Sequence, residues 1–251
     1  MKKYYLTIVA FFVFSIIQAQ ELPKNIFGIR TGINFSSSSF STGNISFQYV
    51  KDNYRTKTKI NILNFGLSYQ RLLNYSKNWY LEIGLYVSDK GFEQEYYMTH
   101  NDTYDKYKTN LWYLQVPFLF NYHFAATDKI TIEPFAGLYT AYGIDGKTKL
   151  IISEPPVGGP FTPRDVVNSF GNKGFKKFDM GLKFGIGATF YGVHASIEYE
   201  FGLLDIGTAD YYAHRDNVKN KNFAIMLGYS FTLSKNKNVK DKFNRIYPNA
   251  E

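Results

Sequence analysis

Three side chains in the segment VHASIE have the residue types of a nucleophilic site. His194, Ser196 and Glu198 supply an imidazole, a hydroxyl and a carboxylate, as many acyl-transfer enzymes do. In a strand, however, residues two positions apart on one face are separated by about 7 Å, so the grouping does not by itself predict a catalytic triad. We therefore expect a buried structural histidine at position 194, and we predict that the protein is not an enzyme.

Other residues able to do chemistry are sparse. The chain has no Cys, which excludes disulfides, thiolate metal sites and a cysteine nucleophile. The four histidines show no paired metal-ligand spacing, and no phosphate-binding loop precedes a helix. The histidines are His100, His123, His194 and His214. The sequence thus predicts no catalytic residue, no metal and no cofactor.

Seven charged residues lie within segments that are otherwise apolar or small. They are Arg30, Glu82, Glu133, Asp179, Lys183, Glu198 and Glu200. A hairpin centred on Tyr191 and Gly192 would place Lys183 opposite Glu200, so we expect an ion pair between neighbouring strands. We interpret the seven as a structural network of mutually satisfied charges. A gated pore or a proton path is the alternative.

The segments that carry these charges alternate apolar and polar residues with period two, as strands do. From Trp112 to Phe124, for example, every second residue is apolar or aromatic. Their lengths are near the roughly 9 to 11 residues of a tilted membrane-spanning strand. The eight segments are 27–35, 63–73, 79–87, 112–124, 130–144, 178–190, 193–203 and 223–233.

The polar face of these segments separates a membrane barrel from a soluble one. A soluble, lipocalin-like barrel also alternates, but with its polar face in water. Here that face is mostly Gly, Ser, Asn and Tyr, with isolated charges. Small residues fit the narrow lumen of an eight-stranded barrel, whereas glycine weakens a solvated strand. The sequence therefore favours an inside-out barrel with its apolar face in lipid.

Connections between the segments alternate strictly between long and short. Outer-membrane barrels have short periplasmic turns and long external loops, and an even strand number places both termini in the periplasm. We predict an all-β fold, an eight-stranded antiparallel transmembrane β-barrel, in the bacterial outer membrane. The long connections are 36–62, 88–111, 145–177 and 204–222, and the short ones are 74–78, 125–129 and 191–192.

Aromatic residues cluster at the ends of the predicted strands. Such girdles lie at the level of the lipid headgroups. The residues assigned to them are Trp79, Trp112, Tyr122, Phe124, Phe178, Phe190 and Phe231.

The two ends of the chain differ from its middle. Residues 1–19 combine two lysines, a short apolar stretch and a small residue at Ala19, which is typical of a cleaved signal peptide. Residues 20–233 form the predicted barrel domain, and residues 234–251 form a polar, basic periplasmic tail. Because the chain is expected to be exported, nucleic acid is not an expected partner.

Composition agrees with this architecture. The 251 residues are 19% aromatic and 20% charged, with a formal net charge of +8. The mean hydropathy of −0.28, with no apolar stretch of about 18 residues after position 20, excludes a helical membrane protein. A hydrophobic share of 45% argues equally against disorder.

Six segments resemble those of the PorT-like small outer-membrane β-barrel proteins of Bacteroidetes. They are FGIRTGINFS (27–36), WYLQVPFLFNYHF (112–124), IEPFAGLYTAYGI (132–144), KKFDMGLKFGIGATF (176–190), IEYEFGLLDIG (197–207) and KNFAIMLGYSF (221–231). The resemblance implies a porin-like barrel without an active site. One member type is linked to a protein-secretion and gliding apparatus, which suggests envelope protein partners besides outer-membrane lipid.

The last segment also resembles the signal that barrel-assembly machinery reads. Gly228, Phe231 and Leu233 fit its spacing, although Met226 stands where a polar residue is usual. We therefore expect the assembly machinery to be a partner.

The long connections are where a specific function is expected. Tyr96, Tyr97, Tyr104 and Tyr107 either form a glycan- or protein-binding surface or extend the strand rim, and residues 154–163 are a docking loop or a plain loop. Our leading hypothesis is a non-enzymatic barrel that acts through its external loops or through envelope partners. The alternatives are a small gated pore or ligand conduit, and an envelope enzyme that uses lumen residues.

Overall fold

A computed structural model describes residues 23–41, 54–74, 78–98, 103–127, 129–154, 167–171, 174–208 and 217–232. The predicted signal peptide, the predicted tail and Leu233 lie outside these residues. The strands within them are β1 (Asn25–Ser41), β2 (Tyr54–Asn74), β3 (Trp79–Met98), β4 (Thr103–Tyr122), β5 (Phe124–Ala125), β6 (Ile130–Glu154), β7 (Val167–Asn168), β8 (Phe178–Phe190), β9 (Val193–Gly202) and β10 (Asn217–Thr232). No helix in this part of the chain is long and apolar enough to cross a membrane.

The eight long strands form one closed antiparallel ring. The pairing runs β4-β3-β2-β1-β10-β9-β8-β6, and β4 pairs with β6 to close the circle. β1 lies between β2 and β10, so the first and last strands join along sixteen paired residues. β5 and β7 are two-residue additions to β6. The predicted eight-stranded antiparallel barrel is confirmed.

The two faces of the ring differ in chemistry as the alternation predicts. Large apolar side chains point outward and stay exposed, for example Leu67 (54%) and Phe120 (55%). The neighbouring positions Ser68 and Asn121 point inward and are buried. Exposed apolar residues on every long strand thus form a belt around the barrel, while the polar residues fill its interior.

Several predicted strand ends are wrong, because the strands continue beyond the apolar belt. β3 and β4 remain paired from Trp79 opposite Tyr122 to Met98 opposite Thr103. Tyr96, Tyr97, Tyr104 and Tyr107 therefore lie in strands, and residues 155–163 fall outside the described part of the chain. The prediction followed apolar alternation, which stops where a strand leaves the membrane and no longer needs a lipid face.

Glycines let large rings lie flat inside the narrow lumen. A Cβ atom at Gly181 would be 2.6 Å from the ring of Tyr139, and one at Gly185 would be 2.6 Å from Phe135. Both distances are shorter than van der Waals contact, so the rings occupy space that any other residue would fill. This pairing accounts for the combination of Gly and aromatic residues on the lumen face.

The register of β8 and β9 is the one predicted from their short turn. Phe190 pairs with Val193, and the two residues between them have positive φ, 49° at Tyr191 and 85° at Gly192. Two such residues make the type I′ turn that matches the twist of a hairpin. Lys183 consequently lies opposite Glu200.

Candidate functional site

The middle of the lumen holds a layer of charges centred on Glu200. Its carboxylate is 2.7 Å from Lys90 Nζ and 3.1 Å from Lys183 Nζ, and it accepts a hydrogen bond of 2.6 Å from Gln115. Lys183 also lies 2.6 Å from Glu198. Two buried ammonium groups and two carboxylates thus balance one another, as buried charges must.

Sequence reasoning missed Lys90, which it had assigned to an external connection. Its side chain is 1% exposed, and its ammonium lies 4.2 Å from the ring centre of Tyr139. The signal was present, because Lys90 continues the inward series of Glu82, Gly84 and Tyr86 at every second position. It was overlooked because the apolar partners of that series end at Val87.

A second polar cluster lies where the pairing between β2 and β3 is interrupted. Their pairing jumps from Thr58 opposite Phe92 to Asn64 opposite Ser88. Asn34 of β1 donates to Ser88 Oγ and to the Asp89 carbonyl, both at 2.9 Å. Ser36 Oγ is hydrogen bonded to both the N–H and the carbonyl of Gly91. Side chains of β1 therefore satisfy backbone groups of β3 that β2 leaves unpaired.

Asp179 lies on the side of the charged layer away from the short turns. It is fully buried and accepts hydrogen bonds from Tyr139 (3.1 Å) and Asn220 (3.0 Å).

Towards the end of the barrel with the short turns, Glu82 accepts hydrogen bonds from Gln70 (2.8 Å) and Asn121 (2.9 Å). Arg30 donates to Ser230 Oγ (3.0 Å) and to the Tyr229 carbonyl (3.2 Å). Each of these charged groups has polar partners inside the barrel, and none of them faces lipid.

Two histidines flank Glu133 at the end of the barrel with the short turns. Glu133 Oε2 is 3.8 Å from His123 Nε2 and 3.6 Å from His194 Nδ1, and Thr189 donates to Glu133 Oε1 at 2.6 Å. Thr189 Oγ1 is also 3.0 Å from His194 Nδ1. Among the residues that the structure describes, no group of three or more His, Asp or Glu side chains is arranged to hold a metal ion.

Ser196, the possible nucleophile, is not hydrogen bonded to His194. Its hydroxyl donates to Glu198 Oε1 at 3.0 Å, whereas the imidazole contacts Thr189. A carboxylate bonded directly to a serine hydroxyl does not position the imidazole as the base of a Ser-His-acid triad. The three residues are therefore neighbours without the geometry of a catalytic relay.

An apolar plug lies inside the lumen towards the opposite end of the barrel. Phe170 and Phe175, from the connection between β6 and β8, meet the rings of Tyr113 and Phe92 at 5.5 and 5.6 Å. Phe170 lies against Gly143 and Gly146 of β6, where a Cβ atom would be only 2.4 and 2.8 Å from its ring. The buried cluster comprises Phe92, Leu111, Tyr113, Tyr139, Ala141, Phe170, Phe175, Ile206 and Val218.

The assigned aromatic residues lie at the two edges of the apolar belt. The rings of Trp79 and Tyr122 are 5.1 Å apart at the end with the short turns, and Phe190 and Phe231 lie at that same end. Trp112 and Phe178 lie at the other edge, and Phe124 is half-buried in β5 beyond Tyr122. Gly228 faces the lumen opposite Arg30, and Phe231 points outward.

A closed antiparallel ring with an apolar outer belt and a polar, filled lumen defines an outer-membrane β-barrel protein. The family model described as outer membrane protein beta-barrel domain matches residues 18–207. The chain belongs to this family of bacterial outer-membrane barrels.

Solved structures of small barrels also match. OprG from Pseudomonas aeruginosa is 13% identical to this chain with a TM-score of 0.43, and the match covers 85% of this chain and 99% of OprG. Neisserial surface protein A is 12% identical with a TM-score of 0.37, covering 82% and 97%. Ail, the attachment invasion locus protein of Yersinia pestis, is 14% identical with a TM-score of 0.33, covering 83% and 99%. These values transfer no function, and no curated protein matches the chain.

Proposed function

We propose that this barrel is a non-enzymatic, closed membrane scaffold that acts through its external end on other envelope proteins. The observation that carries the proposal is the filled lumen. The apolar plug occupies it towards one end, and the charged layer around Glu200 occupies its middle. A lumen packed with side chains supports a scaffold in preference to an open channel. A protein-secretion assembly, as the PorT-like resemblance implies, is the class of partner that we favour.

The proposed orientation places both termini and the short turns in the periplasm. It is supported by the even number of long strands and by the segregation of the connections. In this orientation β2, β3, β4 and β6 extend past the apolar belt on the external side. At about 3.3 Å per residue, the ten residues 89–98 of β3 reach roughly 30 Å along the strand.

The parts of β2, β3, β4 and β6 beyond the belt form a projecting sheet, which offers a polar surface for a protein partner. On its outer face Lys57 lies 2.6 Å from Glu95, and Lys106 lies 2.9 Å from Glu93. Ion pairs at a protein surface contribute little stability, so the surface can exchange them for contacts with a partner. The projection is therefore the part of the barrel that we assign to binding.

The test removes the paired ends of β3 and β4 from the projection and keeps the barrel. Glu93 and Lys108 face each other across β3 and β4, so residues 94–107 can be replaced by an Asn-Gly turn. We expect the shortened protein to stay folded, with the gel-mobility shift on heating that folded barrels show. In intact cells, a membrane-impermeant cross-linker should join the wild type, but not the shortened protein, to an envelope protein. The same cross-linked species from both proteins would contradict the proposal.

A gated pore is the second candidate, because the charges around Glu200 lie across the path that ions would follow. Lys183→Ala removes one of the two ammonium groups that fill this layer. For a closed scaffold we expect no single-channel current in planar bilayers from the wild type or from the variant. A large new current from Lys183→Ala would favour the gate.

A further inference from the structure

The outer wall of the barrel carries an apolar groove on β8, β9 and β10. Its volume is about 420 Å³. Its lining contains Phe135, Gly185 and Glu198, which belong to the lumen side of the wall, and five outward-facing residues, Phe184, Ile186, Ile197, Tyr199 and Phe223. These residues form two adjacent rows across the strands, since Phe184 pairs with Tyr199 and Ile186 pairs with Ile197. The volume and lining suit a flexible hydrocarbon chain.

Two lysines stand at the external end of this groove. Lys221 pairs with Phe201 in the row directly beyond Phe223 and Tyr199, and its ammonium lies 5.9 Å from the ring centre of Phe201. Lys219 follows on the same face, one row or about 7 Å farther out. Both ammonium groups therefore lie where the apolar belt gives way to the headgroup region.

The charge around these lysines is mainly positive. One described carboxylate lies beside them: Asp205 accepts a hydrogen bond from the Val218 N–H at 2.7 Å, and it is 3.8 Å from Lys176. The described outward-facing residues of β8, β9 and β10 include no acidic side chain, because Asp179, Glu198 and Glu200 all point inward. Lys57 on β2 and Lys106 on β4 differ, since glutamates accompany them at 2.6 and 2.9 Å. Lys219 and Lys221 thus present positive charge beside an apolar groove, a pattern complementary to a lipid with an anionic headgroup.

We propose that this groove binds a phosphorylated glycolipid of the outer leaflet, with an acyl chain between the two apolar rows and a phosphate on Lys219 and Lys221. The choice of leaflet rests on the orientation proposed above, in which this edge of the belt is external. The outer leaflet of such membranes is built of phosphorylated glycolipids, whose phosphates accept charge-assisted hydrogen bonds from ammonium groups.

Native mass spectrometry of the full-length protein in detergent micelles tests the site. The probes are lipid A with its phosphates, the same lipid A after dephosphorylation, and phosphatidylglycerol. The test variant is Lys219→Gln/Lys221→Gln, and the matched control is Lys57→Gln/Lys106→Gln. With a contribution of about 1 kcal/mol per lysine, we expect the test variant to bind phosphorylated lipid A at least tenfold more weakly. The control should bind as the wild type does.

A third variant, Ile197→Trp, fills the groove while keeping the outer face apolar. It should lower lipid A retention with both lysines in place, and the gel-mobility shift on heating checks that the barrel is folded. The proposal is overturned if both lysine pairs have the same effect, if dephosphorylated lipid A binds equally well, or if phosphatidylglycerol binds as tightly. Because micelles have no sides and contain no envelope proteins, these outcomes are independent of the cross-linking test of the proposed function.

Discussion

Glu200 is the side chain on which the charged layer of the lumen depends. It is paired with Lys90 on β3 and Lys183 on β8, and all three are nearly inaccessible to water. Sequence reasoning found the Lys183 partner, because a two-residue turn fixes which residues of a hairpin face each other. It missed Lys90, because no local rule relates β3 to β9, which meet only through the interior of a closed ring.

Neutralising Glu200 should strongly destabilise the folded barrel. Glu200→Gln leaves two buried ammonium groups with one carboxylate, and removing one partner of a buried ion pair costs about 3–5 kcal/mol. The free energy of unfolding can be measured by urea titration in lipid vesicles, followed by tryptophan fluorescence.

The control for this measurement is Asp145→Asn, which removes the carboxylate 3.8 Å from Lys147, a pair whose side chains are 58% and 60% exposed. Exposed pairs contribute about 0–1 kcal/mol, so this change should have little effect. If the two substitutions cost the same, the charged layer is not the buried network described above.

At the scale of the elements, membrane-spanning segments were easier to predict than strand lengths. Lipid imposes a strict apolar alternation from Phe27 to Phe35 of β1 or from Trp79 to Val87 of β3, and the sequence records it. Beyond the belt the outer face of a strand no longer contacts lipid, so the extension of β3 to Met98 shows no apolar alternation in the sequence. The turn between β8 and β9 was predictable because a two-residue loop allows a hairpin only a few conformations.

The turn at Tyr191 and Gly192 gives a test at this scale. Gly192→Ala forces a side chain onto a residue with φ of 85°, and we expect a cost of about 1–2 kcal/mol. Tyr191→Asn should be nearly neutral, because asparagine tolerates the positive φ of the first position. Urea unfolding of both variants in vesicles compares them directly. Equal stability of the two variants would exclude the type I′ turn.

At the scale of the whole molecule, closure of the ring decides which groups water and lipid can reach. β1 pairs with β10 and β4 pairs with β6, so the ring is closed, and Asn34 and Ser36 cover the interruption in the pairing between β2 and β3. Closure also separates the two ends of the barrel, one with the apolar plug and projecting strands, the other with short turns and the histidines around Glu133. The direction in which the barrel inserts therefore determines which end can meet an extracellular partner.

Single cysteines can report this direction, because the chain has none of its own. Asn217 and Lys129 are exposed residues at opposite ends of the barrel. We expect a membrane-impermeant maleimide to label Asn217→Cys in intact cells. The control, Lys129→Cys, should be labelled only after the cells are broken. The reverse pattern would mean that the short turns are external and would contradict the proposed orientation.

The sequence by itself determined the class of fold, the lipid-facing residues and the pairing within the shortest hairpin. Each of these follows from a local rule: a period of two, a required span or the geometry of a two-residue turn. Only the tertiary structure decided that Lys90 completes the charged layer, that Asn34 and Ser36 satisfy the backbone of β3, and that Phe170 and Phe175 pack inside the lumen. These contacts join residues far apart in the chain, and only closure of the barrel brings them within a few ångströms of one another.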